Sequence, residues 1–173
     1  MREKNILVIS DTHGRSDAIQ AVIAKLPFRP SMLLFLGDGL RDFNILDRSL
    51  TDGIDIYKVA GNVDIYSFDE PTERMVDVDG CRILMMHGNL YSVEYGQGRA
   101  IRRAAELGAD VLLFGHTHKC CSYTVSASEM GSTKSLIVGN PGSLGEPRDR
   151  MERSYGLLTV RDGKALFSHG FLD

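Results

Sequence analysis

The run Ile6-Leu7-Val8-Ile9 is apolar at every position and passes abruptly into Ser10-Asp11-Thr12-His13-Gly14. A short, unbroken run of β-branched and leucine side chains predicts a strand buried on both faces, as central parallel strands are. Its polar sequel is then the carboxyl end of that strand, where open α/β sheets bind ligands. From Ser16 to Leu26 the period changes. Ile19, Val22, Ile23 and Leu26 form one stripe at helical spacing, stopped by Pro27, and predict a crossover helix. Ser31 to Leu36 predicts a second strand ending in Gly37-Asp38-Gly39. Asp42 to Leu50, with Phe43, Leu46 and Leu50 on one face, predicts a second helix. Ile54, Ile56 and Val59 begin a third strand ending in Gly61-Asn62-Val63-Asp64. Strands alternating with helices imply parallel pairing through right-handed crossovers.

The rhythm then alters. Arg74 to Val78 and Cys81 to Met86 flank Asp79-Gly80, a two-residue turn signal for an antiparallel hairpin, and the second of these strands ends at His87-Gly88. Gly98 to Leu107 reads as a helix capped by Gly108, followed by Val111 to Phe114 and then Gly115-His116-Thr117-His118. Beyond Ser122 only short alternating segments remain: Tyr123 to Val125, Ser135 to Val138, Tyr155 to Val160 and Ala165 to Ser168, the last two joined by Asp162-Gly163. These predict antiparallel sheet. Gly139-Asn140-Pro141-Gly142-Ser143 and the charged stretch Glu146 to Arg153 read as one long irregular loop, where function is commoner than in a short turn.

Composition bounds this picture without changing it. A chain of 173 residues, 43% of them hydrophobic, is long enough for one core that buries roughly 70% of the unfolded surface, so a single domain over residues 1–173 is expected. A net charge of −3 and no basic block argue against a nucleic-acid surface. The odd cysteine count, with Cys120 and Cys121 adjacent in a strand whose neighbouring side chains face opposite ways, argues against a disulfide framework. No signal region and no apolar run near the roughly 20 residues of a membrane span are visible, so a cytoplasmic protein that does not enter the membrane is expected. A homo-oligomer is compatible with the sequence.

The chemistry stands at the strand ends. Asp11 and His13, Asp38, Asn62, His87, and His116 with His118 are seven potential metal ligands, and they include four of the five histidines. Singly, Asp38 reads equally well as a helix cap, Asn62 as a turn residue beside Gly61, and His87 as a satisfied polar group at a sheet edge. Together those readings require the same coincidence at every strand end, whereas a metal site explains them at once. His169 follows no such pattern and reads as structural.

In this order the motifs resemble the calcineurin-like metallophosphoesterases, whose pattern runs Asp-x-His, Gly-Asp, Gly-Asn, His and Gly-His-x-His. Here these are Asp11-Thr12-His13, Gly37-Asp38, Gly61-Asn62, His87-Gly88 and Gly115-His116-Thr117-His118. The resemblance extends from residue 6 to the Asn140-Pro141-Gly142-Ser143 loop, and the size and spacing are similar to the small bacterial YfcE-type phosphodiesterase branch. It implies an α/β fold, a four-layer α/β/β/α sandwich of two mixed β-sheets flanked by helices. It implies two divalent ions, manganese foremost, with zinc, iron, nickel or cobalt as alternatives. One would be held by Asp11, His13, Asp38 and His118, the other by Asp38, Asn62, His87 and His116, with Asp38 bridging. It implies hydrolysis of a small phosphodiester by a metal-bridging hydroxide, with Asp38, Asn62 and His87 at the reacting centre and no serine or cysteine nucleophile.

One position departs from the family pattern. Where many relatives carry a histidine after the Gly-Asn pair, this chain has Val63, so the usual leaving-group acid is absent and poor leaving groups should suffer most. Arginines within Phe68 to Arg74 and Glu146 to Arg150 are within reach of a phosphate in principle, although an exposed arginine is ordinarily a solvated charge. The alternatives are a non-catalytic protein-binding scaffold of the same fold, as in the retromer subunit that this family resembles, and a phosphomonoesterase or nucleotide-polyphosphate hydrolase on the same metals. A complete ligand set favours an enzyme over a scaffold.

Overall fold

A computed structural model describes residues 3–66, 69–149 and 151–172. The first strand, β1 (Lys4–Ile9), is the middle of a five-stranded sheet. It pairs in parallel with β2 (Met32–Phe35), which pairs in parallel with β3 (Asp55–Lys58). The helix α1 (Ser16–Lys25) and the single turn α2 (Arg48–Thr51) lie in the two crossovers. A second sheet begins with the hairpin β4 (Glu73–Val78) and β5 (Cys81–Met86). It continues through α3 (Gly98–Glu106) to β6 (Val111–Phe114), parallel to β5. β7 (Cys120–Val125), the one-turn α4 (Ala127–Met130) and β8 (Leu136–Pro141) complete it in the order β4-β5-β6-β8-β7. The chain then returns to the first sheet as the hairpin β9 (Ser154–Arg161) and β10 (Lys164–Phe171), giving β10-β9-β1-β2-β3.

The strand period of two explains the layering. Ile6 and Val8 point into one apolar cluster together with Leu34, Ile83, Met85, Val111, Leu113, Leu158 and Val160, and this cluster fills the space between the two sheets. Their neighbours Leu7 and Ile9, with Leu33 and Phe35, point the other way and pack against Ala18, Ile19 and Val22 of α1. Leu84, Met86, Leu112 and Phe114 likewise turn outward from the second sheet onto Ala100 and Ala104 of α3. Helix, sheet, sheet and helix are therefore successive layers, as the resemblance implied. Each buried Ile, Val or Leu contributes about 1.5–3 kcal/mol of apolar burial, and the central strands collect it on both faces.

Both predicted two-residue turns are present. Asp79 and Gly80 have φ of 50° and 84°, and Asp162 and Gly163 have 51° and 72°, the doubly left-handed combination of a hairpin turn whose twist matches the strands. Gly108, at φ 65°, ends α3 with its N–H bonded to the Ala105 carbonyl.

Two expectations are corrected. The helix predicted over Asp42 to Leu50 is instead a 3-10 stretch, Leu40–Asn44, followed by the single turn α2. Asp42 is turned inward, accepting hydrogen bonds from the Thr12 hydroxyl and the Gly14 N–H, and Asp47 caps a fresh turn through the Ser49 N–H. Side-chain bonds to the backbone thus outweigh a helical stripe. Gly139, Asn140 and Pro141, expected in a loop, belong to β8 and are buried. Gly139 allows the Phe167 ring to lie against the strand, and Asn140, at the end of the strand, holds the Gly115 carbonyl with its amide nitrogen and accepts the Gly142 N–H two residues on with its oxygen, so the turn begins only after Pro141.

Candidate metal centre

Residues 11–13, 38, 62, 87 and 116–118 follow β1, β2, β3, β5 and β6, and the parallel register brings these strand ends to one edge of the molecule. The Asp11 N–H donates to the Gly37 carbonyl at 3.0 Å, the His13 N–H to the Asp38 carbonyl at 3.2 Å, and the Gly115 N–H to the His87 carbonyl at 3.0 Å. Ladder bonding thus continues past the strands into the polar turns.

Five of the seven predicted ligands have left-handed backbones: Asp11 (φ 54°), His13 (45°), Asp38 (59°), His116 (66°) and His118 (58°). For residues with a Cβ this conformation costs on the order of 1–2 kcal/mol each, and such outliers gather where a side chain must be aimed. The accompanying glycines are there for proximity. A Cβ on Gly61 would collide with the Asp38 carboxylate, and one on Gly115 with the Ser10 hydroxyl.

The side chains fall into two triads, Asp11 with His13 and His118, and Asp38 with His87 and His116, each with donor atoms within 4.8 Å of one another. Asn62 Oδ1 lies 3.1 Å from His87 Nε2, beside the second triad. All seven predicted residues therefore come together. His169 stands apart, donating from Nε2 to the Asn140 carbonyl at 2.8 Å and packing edge-on against Phe167.

The donor set fits a metal ion on internal grounds. His87 Nδ1 lies 2.7 Å from the Leu36 carbonyl and His118 Nδ1 lies 2.6 Å from the Glu146 carbonyl. A carbonyl only accepts, so both Nδ1 atoms carry protons, and each ring in its neutral form presents its Nε2 lone pair to the centre. His13 Nε2 and His118 Nε2 face each other at 3.2 Å. Asp11 Oδ2 accepts the His116 N–H at 3.1 Å, whereas Asp11 Oδ1 is buried without a hydrogen-bond donor, 3.2 Å from His118 Nε2. A buried carboxylate oxygen without a donor, grouped with imidazoles whose other ring nitrogen is already engaged, is a donor set that suits a cation.

Protonation follows the same field. Burial works to raise the pKa of Asp38, but the His87 bond, the charge of His87 and the Val63 N–H outweigh it, so Asp38 is held below its ordinary value. Burial opposes charge on His87, but Asp38 and Asp11 win and its pKa is raised. The Asp11 carboxylate beside it raises that of His118. His116 goes down, through burial and then the charge of His87. Its Nε2 faces Glu94 Oε2 at 3.4 Å.

Several supporting residues were not identified from sequence. The Asp64 carboxylate accepts four backbone N–H groups: Asp38 at 2.7 Å, Gly39 at 3.0 Å, Leu40 at 2.9 Å and Gly61 at 2.9 Å. The Val63 N–H returns a bond to Asp38 Oδ1 at 2.9 Å, so the Asp38 and Asn62 turns clamp each other. Asn140 Nδ2 holds the Gly115 carbonyl at 2.9 Å, and the Ser143 hydroxyl holds the Asp11 carbonyl at 2.7 Å. Asp64 stands two residues after the Gly61-Asn62 pair, and Asn140 and Ser143 lie in the loop at which the resemblance ends, and those positions were the available signals; Asp42 gave none.

A family model described as the calcineurin-like phosphoesterase superfamily domain matches residues 5–163. The chain belongs to that superfamily. It is 31% identical over 162 residues to the probable metallophosphoesterase YsnB of Bacillus subtilis, covering 93% of this chain and 87% of YsnB. A solved structure of a predicted phosphoesterase from Streptococcus pneumoniae TIGR4 superposes with a TM-score of 0.77 at 25% identity, covering 99% of this chain and 91% of that one. YfcE, a phosphoesterase from E. coli, gives 0.59 at 19% identity over 98% and 100% of the two chains. Vps29 of Chaetomium thermophilum gives 0.69 at 20% identity over 96% and 94%, a likeness of fold. This metallophosphoesterase has, among its described residues, no helix long and apolar enough to cross a membrane.

Of the arginines noted in the sequence, Arg74 is bound to Glu70 at 3.0 Å and Arg148 lines a cleft beside His116, while Phe68 and Arg150 lie outside the described residues. That cleft, of ≈490 Å³, opens on the His116 side of the centre, and another of ≈420 Å³ opens on the His13 side, where Val63, 52% exposed, forms part of the wall.

Proposed function

We propose that this metallophosphoesterase is a phosphodiesterase that works with two divalent ions. The observation that carries the reading is the pair of carboxylate and imidazole triads with preset tautomers. Asp11, His13 and His118 would hold one ion, and His87, His116 and Asn62 the other, with Asp38 shared between them. When bound, the ions supply Lewis-acid polarisation of the phosphoryl oxygens and lower the pKa of the attacking water. The chain's own part is positioning. Leu36 and Glu146 carbonyls fix two rings, Asp64 fixes the Asp38 turn, and the exposed Asn62 amide N–H, which has no acceptor among the described residues, would orient a phosphate oxygen. Manganese is the first expectation for the metal, with zinc, iron, nickel and cobalt behind it.

Two features favour a diester over a monoester. Clefts open on both sides of the centre, giving each substituent on phosphorus a place, and Val63 offers no proton to a departing alkoxide. A second reading, a protein-binding scaffold, draws on the fold shared with Vps29. The complete ligand set and the preset tautomers weigh toward the enzyme, since holding a partner requires neither.

The test is metal analysis of the purified protein combined with assays of aryl phosphodiesters and monoesters under each added divalent metal. Two ions per chain and faster turnover of diesters are expected. Saturation at one ion, or no diester hydrolysis with any metal, would refute the proposal.

A further inference from the structure

We propose that the cleft beside His116 binds a terminal phosphate carried on one substituent of the substrate. The preferred diesters then have one arm that ends in its own phosphate monoester. This rests on the phosphodiesterase reading and names the substrate class within it.

The cleft starts at a residue of the second triad and runs outward between the segment carrying Val93, Glu94 and Gln97 and the turn carrying Thr117, Lys119 and Arg148. Its volume of ≈490 Å³ suits a ligand arm of several heavy atoms, not a bare phosphate. Arg148 is fixed at its root. Its N–H donates to the carbonyl of His118 at 3.4 Å, and its own carbonyl accepts from the Met151 N–H at 3.0 Å. Its guanidinium, however, has no hydrogen-bond or ion-pair partner among the described residues. Arg15, Arg74 and Arg103 differ in this respect, being bound to Asp17, Glu70 and Glu73. A planar fork anchored next to a metal ligand and left without a carboxylate matches two phosphate oxygens.

Lys119 lines the same wall and is paired with Asp149 in an exposed contact of the kind that yields easily to a stronger anion. Glu94 is the one carboxylate among the lining residues, and its Oε2 is directed to His116 Nε2. The opposite cleft is a poorer anion site. Its arginine, Arg41, lies over the Tyr66 ring at 5.0 Å, and its lining includes Asp42, Asp64 and Glu146.

The experiment compares two 4-nitrophenyl diesters whose second arm ends either in phosphate or in hydroxyl, on wild type, Arg148→Lys and Arg148→Ala under matched metal loading. Wild type should favour the phosphate-terminated arm in kcat/KM by about tenfold or more, chiefly through KM. Arg148→Ala should bring that ratio near one while leaving the hydroxyl-terminated diester within about twofold, and Arg148→Lys should keep part of the preference. A wild-type ratio near one, or a ratio that survives Arg148→Ala, overturns the inference and leaves the phosphodiesterase reading standing. If neither diester is hydrolysed, that reading fails. Calorimetric titration of the phosphate-terminated arm alone then decides the inference, which stands only if binding is seen and is lost in Arg148→Ala.

Discussion

Replacing Asp64 by Asn changes one oxygen to an amide NH2 and removes the charge, yet four backbone donors still point at the group. The Asn carbonyl oxygen can serve two of them. The other two then face an NH2 that is itself a donor. A hydrogen bond to a charged group contributes about 1.5–3 kcal/mol, and Asp64 is partly exposed, so a net loss of about 2–4 kcal/mol is expected. With a urea dependence of about 2 kcal/mol per molar, the unfolding midpoint should fall by about 1–2 M. The same clamp holds Asp38 at φ 59° between Gly37 and Gly39, so its loosening should also weaken divalent-metal binding by about 10–100-fold. Urea unfolding in chelator isolates the fold, and calorimetric metal titration reads the site. Asp47→Asn is the contrast, since Asp47 caps one exposed turn through one N–H and Asn caps about as well, so the unfolding midpoint and the metal affinity should both stay nearly unchanged. Equal midpoint shifts for the two variants, or normal metal affinity in Asp64→Asn, would refute the clamp.

Val63→His, on the wall of the His13-side cleft, should raise turnover of an alkyl diester by up to about tenfold and leave an aryl diester nearly unchanged, because only the alkoxide needs a proton. Equal factors on both substrates would show that Val63 matters for packing alone. Glu73 accepts from Arg103 at 2.6 Å and from Tyr91 at 2.6 Å, and the Arg103 bond is the first cause holding its pKa below the ordinary 4.5. A lowered carboxylate stabilises the fold above its unfolded pKa, and that stabilisation is lost as pH falls through the folded value. Glu73→Gln should therefore be less stable by roughly 1 kcal/mol at pH 7, after allowance for partial exposure, with the gap to wild type closing below about pH 4.5 in denaturant titrations. A gap independent of pH would contradict it.

The layers were legible because the central strands are apolar at consecutive positions, and burial on both faces leaves no other place for Leu7 beside Val8 or Leu84 beside Met85. The candidate ligands could be picked out because each stands just after a strand, most of them after such a run. What escaped the sequence depends on partners distant in the chain. Asp42 looks like a surface helix residue until Thr12 and Gly14 are seen to donate to it from 28 to 30 positions away. Asn140 and Ser143 carry turn-forming side chains, and only the folded sheet turns them toward Gly115 and Asp11. The left-handed backbones of Asp11, His13 and Asp38 are also invisible, because none of these residues is a glycine and the strain is imposed by neighbouring strands.

Each triad takes its members from both sheets: Asp11 and His13 follow β1 and Asp38 follows β2, whereas His87, His116 and His118 follow β5 and β6. The interior between the sheets is apolar and without direction, so it resists separation far better than sliding. A cation held by residues of both sheets would act as a bolt through the open edge of the sandwich and would fix the offset of one sheet against the other. Occupancy at a hundred times Kd adds about 2.7 kcal/mol of stability through linkage. In a chain that lost its histidines, that shear restraint would pass to whatever else grips the same edge.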